Sequence, residues 1–347
     1  IAVEAVFGSM GARDRRRAEA RIASGEAALA VGTHALLTES VEFAELGLVV
    51  IDEQHRFGVR QRAALRAKSG APHTLAMTAT PIPRTLAQTK FADMDVSVID
   101  ELPPGRTPIV TYVIRASRKP AVYDFVRKNV EAGQQAYVVA PTIDESESAL
   151  TGALAEAERL RKKVFPDLRV DVLHGKMPVR EKDAAMERFT RHETDVLVAT
   201  TVVEVGIDVP NASVMVVLDA QRYGLAQLHQ LRGRVGRGVA RSFCILVPDD
   251  VAGEVERLHV LEETNDGFAI AEADLKLRNA GELGGTAQAG EMGTIGNIVD
   301  DFALYMKAKE AADDIVAHDP DLSEPEHRPL IALLDDNASA RAMLITA

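Results

Sequence analysis

The sequence predicts an α/β protein: doubly wound parallel sheets, then a mainly helical and acidic C-terminal region. Three observations predict it. Short continuous apolar runs recur along the chain, amphipathic helical patterns lie between them, and the last apolar run ends near Pro248. A run that is apolar at every position fits a strand buried on both faces, as parallel strands are when helices cover each side of the sheet.

Taken in order, the first such run is "LGLVVID", which ends abruptly in Asp52 and Glu53. "HTLAMTAT" follows at residues 73–80. "DELPPGRTP" at 100–108 breaks the pattern, because three prolines and a glycine disfavour both helix and central strand, so it reads as an interdomain linker. Beyond it come "QAYVVAP", "RVDVLHG", "TDVLVATT", "ASVMVVLD" and "RSFCILVP". Between two of these, residues 178–193 place Ala184, Ala185, Met186 and Phe189 on one side at helical spacing. A glycine-rich patch, "RNAGELGGTAQAG", occupies 278–290. These boundaries divide the chain into 1–105, 106–250 and 251–347, without a repeat at solenoid periods.

Composition narrows the function classes. The chain has 347 residues, 46% hydrophobic and 27% charged, which suits globular cores. No segment approaches the ~18 apolar residues of a membrane span. The single cysteine, Cys244, rules out a disulfide within the chain and a thiolate metal cluster. A net charge of −12 argues against a mainly electrostatic nucleic-acid coat while leaving room for a local basic track. "RDRRRAEAR" at 13–21 reads as a solvated helix face. All of this suits a cytoplasmic enzyme or an intracellular binding protein. The chain starts at Ile1 with no cap or polar tail, as a fragment or trimmed product of a longer protein would.

Four stretches carry candidate chemistry. Asp52 and Glu53 end a buried strand, on the sheet edge where α/β proteins bind ligands. One carboxylate can hold a hydrated Mg²⁺ and its neighbour can take a proton from an attacking water. The same pair would equally serve as an acidic helix start that offsets the helix dipole. In "MTATPIPRT", Thr78 and Thr80 present hydroxyls at a strand end, either to bond a carboxylate or as plain loop. In "ATTVVEVGIDVPNAS", Thr200 and Thr201 can donate to phosphate, Gly206 allows close backbone approach, and Asp208 offers an acceptor; an ordinary turn would use the same residues. "QLHQLRGRVGRG" sets Arg232, Arg234 and Arg237 among glycines. Such guanidiniums can offset charge on a transferred phosphoryl group, or form a nucleic-acid patch or a salt-bridged helix.

In order and spacing, these stretches together resemble the motor of superfamily 2 helicases. Within it, "IDEQHRFGVRQR", "MTATPIPRTLA", "IDELPPGRTP", "HGKM", "VEVGIDVPNA" and "GLAQLHQLRGRVGRG" resemble the RecG family of bacterial ATP-dependent DNA translocases. The likeness covers nearly all of residues 1 to 290; Gln54 and the proline linker separate it from the related coupling factor Mfd. The resemblance implies two RecA-like lobes, the first truncated at its N-terminus, with ATP and Mg²⁺ as cofactors. It implies that Asp52 holds the metal's water shell and Glu53 activates water. Gln54, His55, Gly206, Asp208 and Gln230 would serve the nucleotide, and Arg234 and Arg237 would be arginine fingers. Thr33, His34, Thr78, Thr80, Thr200 and Thr201 would couple to DNA. Residues 264–290 resemble the family's translocation motif, with Arg278 and Gln288 matching; Asn279 and Ala280 stand where a glycine-led turn is expected, and Gly284 where leucine is. The implied partner is branched double-stranded DNA (stalled forks and Holliday junctions), engaged by a monomer in DNA repair and recombination.

The phosphate-binding loop G-x-x-x-x-G-K-[ST] occurs nowhere in these 347 residues. Nor does the family's fork-splitting wedge domain lie in them; both are expected upstream, and apolar sheet surface is expected to be exposed in the first lobe. Two other readings compete: a non-catalytic DNA-binding module of two α/β lobes, and a Mg²⁺-dependent hydrolase using Asp52, Glu53 and His55 alone. A Gly-Lys-Thr loop in the upstream coding sequence decides for the motor. The chain by itself is expected to bind ATP weakly and to show no DNA-stimulated turnover; a phosphate-release assay on the purified chain checks this, and measurable turnover would contradict it.

Overall fold

The computed structural model describes residues 1–38, 40–53, 72–79, 95–99, 101, 106–140, 154–200, 208–249, 255–282 and 302–331. The chain forms two compact units, residues 1–80 with 301–347, and residues 81–300.

The first unit begins with β1 (Val3–Val6), α1 (Ala12–Ala23) and β2 (Leu29–Gly32), and β1 pairs β2 in parallel. Helix α1 buries Ala18 and Ile22 beside Val6. Its arginines face outward: Arg15 Nε donates to Glu19 Oε1 at 2.8 Å, and Arg21 pairs with Glu4 and Glu26. The basic run is thus a solvated face with partly buried ion pairs, of which Arg15–Glu19, at i,i+4, is worth about 0.3–0.5 kcal/mol. A second parallel pair joins β3 (Leu48–Ile51) to β4 (His73–Ala76). Along β3, Val49 and Ile51 are buried while Leu48 and Val50 are exposed. Leu29, Val31 and Leu75 are also half exposed, so this unit carries open apolar sheet surface.

The second unit is built on one sheet of six parallel strands in the order β5-β10-β9-β6-β8-β7. The strands are β5 (Val110–Val113), β6 (Gln135–Val139), β7 (Val170–Leu173), β8 (Val196–Ala199), β9 (Ala212–Leu218) and β10 (Phe243–Val247). Every residue of β6, β8 and β9 is buried. Side chains alternate between faces, so each central strand feeds two cores. Tyr137, Val139, Leu197, Met215 and Val217 join one core with Phe189 of α3 (Val179–Thr190) and Leu225, Leu228 and Leu231 of α4 (Leu225–Arg232). Ala136, Val138, Val196, Val198 and Val216 join the other with Val122 and Val126 of α2 (Lys119–Glu131), and with Leu160 and Phe165 at a π-helical turn, Leu160–Val164. The chain runs from β5 outward through β6 to β7 and returns, and β9 then crosses to the other side of β6. That reversal makes the sheet doubly wound and opens a crevice at its carboxyl edge.

The doubly wound reading therefore holds, and the helix read at 178–193 is α3. Three strands escaped the sequence reading. β1 ("VEAV") contains a glutamate, β2 ("LAVG") ends in glycine, and β5 ("VTYV") follows the proline-rich segment; none is an unbroken apolar run. After β10 the described chain is helical, with short α5 (Val260–Glu263), α6 (Gly267–Glu282) and α7 (Phe302–His318). Residues 279 and 280, where a glycine-led turn was expected, continue α6. Among the described residues, no helix is long and apolar enough to cross a membrane.

Phe189 has 0% exposure and its ring centroid lies 4.8 Å from that of Tyr137. Phe189→Ala is expected to destabilise the second unit by about 3–5 kcal/mol through the cavity it leaves. Val239→Ala, at a position 99% exposed, should change stability by less than about 0.5 kcal/mol. Urea unfolding followed by far-ultraviolet circular dichroism distinguishes the two.

Candidate functional site

In the first unit, Asp52 and Glu53 follow β3 directly, at the carboxyl edge of its sheet. Asp52 is exposed, and its Oδ1 accepts a hydrogen bond from Glu53 N at 2.8 Å. Glu53 is half-buried with φ at 50°, in the left-handed region. A non-glycine residue there stores roughly 1–3 kcal/mol of strain, which the surrounding turn must hold. The register pairs Ile51 with Ala76, and Met77 N donates to Ile51 O at 2.8 Å. Thr78 therefore leaves the sheet at the same edge as the acidic pair, and it is exposed. Thr33 and His34 leave the carboxyl end of β2, both exposed, with Thr33 preceding a short 3₁₀ turn, His34–Leu37. Gln54, His55 and Thr80 lie outside the described residues.

In the second unit, Arg234 and Arg237 follow α4 in a glycine-flanked loop. Arg237 Nη1 lies 3.5 Å from Asp208 Oδ1, and its Nε donates to Gly233 O at 3.3 Å. Tyr137 of β6 feels the charges of this group. Burial raises its phenol pKa, Arg234 and Arg237 pull it down, and Asp208 pushes it up. Asp208, Arg234 and Arg237 are thus brought together, 26 residues or more apart in sequence though Asp208 is from either arginine. Gln230 is half-buried on α4. Thr200 follows β8 directly, donates its N–H to Leu173 O at 3.1 Å, and is buried at 4% exposure. Thr201, Gly206 and Gln288 lie outside the described residues; Arg278 sits on the backbone of α6.

The sequence grouped Arg232 with Arg234 and Arg237 as an available guanidinium; the structure instead buries it. Arg232 is 2% exposed and bonds to no carboxylate among the described residues. Its Nη1 donates to Leu261 O at 2.8 Å, Thr264 O at 2.9 Å and Thr111 Oγ1 at 3.3 Å, and its Nη2 lies 2.8 Å from His229 Nδ1. This guanidinium fastens α4 to the turn that leads from α5 into α6. A signal was present: Leu225, Leu228 and Arg232 fall at i, i+3 and i+7, so the arginine belongs to the apolar stripe. Arg106 Nε donates to Gly236 O at 3.2 Å, another contact of linker and arginine loop. Cys244 is 1% exposed, and burial pushes its thiol up to about 12.

For a divalent metal, the hard carboxylate oxygens of Asp52 and Glu53 are the donors suited to Mg²⁺. Asp319, Glu324 and His327 also lie within 4.8 Å of one another. There, however, both Asp319 oxygens are occupied: Oδ1 accepts from Ser323 N and Oγ, and Oδ2 from Glu324 N and His327 Nδ1. Asp319 organises the turn after α7.

Comparison with known proteins defines the class. The family described as "DEAD/DEAH box helicase" matches residues 1–89, and "Helicase conserved C-terminal domain" matches 118–239. These are the helicase domains of superfamily 2. The family described as "ATP-dependent DNA helicase RecG, domain 3, C-terminal" matches residues 264–339. A Synechocystis sp. protein named ATP-dependent DNA helicase RecG is 50% identical over 325 residues, covering 93% of this chain and 39% of that protein. Its Bacillus subtilis namesake is 45% identical over 334 residues, covering 95% and 49%. A solved structure of RecG bound to a three-way DNA junction has a TM-score of 0.67 at 42% identity, covering 89% of this chain and 40% of that one. The chain belongs to the RecG family. It spans less than half the length of these relatives.

The buried pair also sets a pH dependence. Burial, then the Arg232 charge, lowers the His229 pKa to about 4, with Asp266 opposing. Its imidazole is therefore neutral near pH 7, with Nδ1 accepting from Arg232. The unfolded chain, with an ordinary value near ~6.5, takes up this proton first on acidification. Stability from this group should be complete above about pH 6.5 and decline towards pH 4, by at most about 3 kcal/mol. His229→Gln should flatten that decline in urea titrations run across the range.

Proposed function

We propose that this chain is the motor portion of an ATP-dependent double-stranded DNA translocase or helicase that remodels stalled forks and Holliday junctions in repair and recombination. The observation that carries the reading is the arginine loop, where Arg234 and Arg237 gather with Asp208 beside Tyr137. When bound, ATP would supply the phosphoanhydride whose hydrolysis drives movement, and Mg²⁺ would offset its charge. Asp52 holds the metal's water shell and Glu53 accepts the proton of the attacking water. Arg234 and Arg237 offset charge on the phosphoryl oxygens. Gln54, His55, Gly206, Asp208 and Gln230 contact the nucleotide. Thr33, His34, Thr78, Thr80, Thr200, Thr201, Arg278 and Gln288 couple it to DNA.

The proposed domains are lobe 1 at 1–105, lobe 2 at 106–250, and a translocation hairpin with helices at 251–347. The phosphate-binding loop and the wedge belong to another part of the same protein, consistent with relatives of which this chain covers only 39% and 49%. The partner is branched DNA, a reading supported by the RecG structure on a three-way junction. The protein acts as a monomer in the cytoplasm.

Glu53→Gln in the full-length gene product should lower DNA-stimulated ATP turnover by about 10²–10⁴-fold. Arg237→Ala should lower it by about 10³-fold. Steady-state phosphate release on forked DNA tests both, and wild-type rates in either variant would refute the corresponding role.

A further inference from the structure

We infer that Arg106, with Ile109, positions the arginine loop and so links the linker before lobe 2 to the placement of Arg234 and Arg237. This inference rests on the proposed motor function. Gly233 is the C-cap of α4, and its carbonyl is among those that a helix end leaves without an intrahelical partner. Arg106 Nη2 donates to Gly233 O at 3.4 Å, and its Nε donates to Gly236 O at 3.2 Å. One planar guanidinium therefore spans both glycines that bracket Arg234. The Gly233 carbonyl is shared with Arg237 Nε at 3.3 Å, so linker arginine and proposed finger are tied to one atom. Cations are favoured there because carbonyl dipoles converge at a helix C-terminus.

A second contact holds the loop from below. Gly236 has φ at +79°, a conformation that side chains rarely adopt, and a Cβ added there would come within 2.8 Å of Ile109 Cγ1. Just beyond Ile109, Val110 N donates to Ser242 O at 3.0 Å, which begins the pairing of β5 with β10. Residues 106–109 are thus anchored to the sheet at one end and to the loop along their length. Arg106 touches carbonyls, so it is a positioning residue, and a displaced linker would displace the arginines with it.

The test uses the full-length gene product on forked DNA. Arg106→Gln should lower kcat for ATP hydrolysis about 10-fold or more, since small misplacements of reacting groups cost heavily. KM for ATP and affinity for the fork should stay within about two-fold. Arg106→Lys, which can still donate to a carbonyl, should recover part of kcat. Arg237→Ala is measured alongside. If it loses activity while Arg106→Gln keeps wild-type kcat, the positioning role is overturned and the finger role stands. If Arg237→Ala keeps wild-type kcat, the reading of the arginines itself fails. Should Arg106→Gln not fold by circular dichroism, Ile109→Ala takes its place: a fall in kcat of five-fold or more at unchanged KM supports the inference, and a smaller one overturns it.

Discussion

A parallel sheet that is apolar on both faces has to be covered on both, and this constraint organises the second unit. Every residue of β6, β8 and β9 is out of solvent, so helices must pack above and below. Two separate cores result, one built on Phe189 and the leucines of α4, the other on Val122, Val126 and Phe165. With both faces of the central strands committed, the strand ends are left open to solvent. The chemistry-bearing residues are accordingly found where the chain leaves the sheet. Pinning α4 by three buried leucines also fixes the start of the loop that carries Arg234 and Arg237.

The loops around that sheet are held by arginines bonded to backbone oxygen. Arg232 fastens the turn between α5 and α6, Arg106 the loop after α4, and Arg257 the turn before α4 through Gln221 O and Tyr223 O. A guanidinium offers five donors in a rigid fork, so one side chain can join carbonyls from separate segments. Arg237, by contrast, also meets a carboxylate, that of Asp208. Arg232 itself is costly to bury, and its several hydrogen bonds offset the lost hydration.

What was legible in the sequence follows from the same physics. The runs at β6, β8, β9 and β10 stood out because burial leaves few polar positions in them, whereas β3 and β4 were read as apolar runs although much of their surface is exposed. β1, β2 and β5 did not: β1 carries a glutamate, β2 ends in glycine, and β5 follows the proline-rich segment. The acidic pair was visible as a break at the end of a run. The meeting of Asp208 with Arg237 was not legible, because no periodicity relates residues on opposite sides of β9. Arg232 could have been found from its place on the α4 stripe. Arg106 could not, since its partners are carbonyls, which every residue type supplies equally.

One buried side chain has a practical consequence. Cys244 is the chain's sole thiol, sits within β10 at 1% exposure, and ionises only near the upper end of the scale. Maleimide dyes and spin labels, which the thiolate must attack, would pass it by in the folded state. A single cysteine engineered on either unit would then be the one reactive handle, so fluorophores could report lobe motion with the native background left intact.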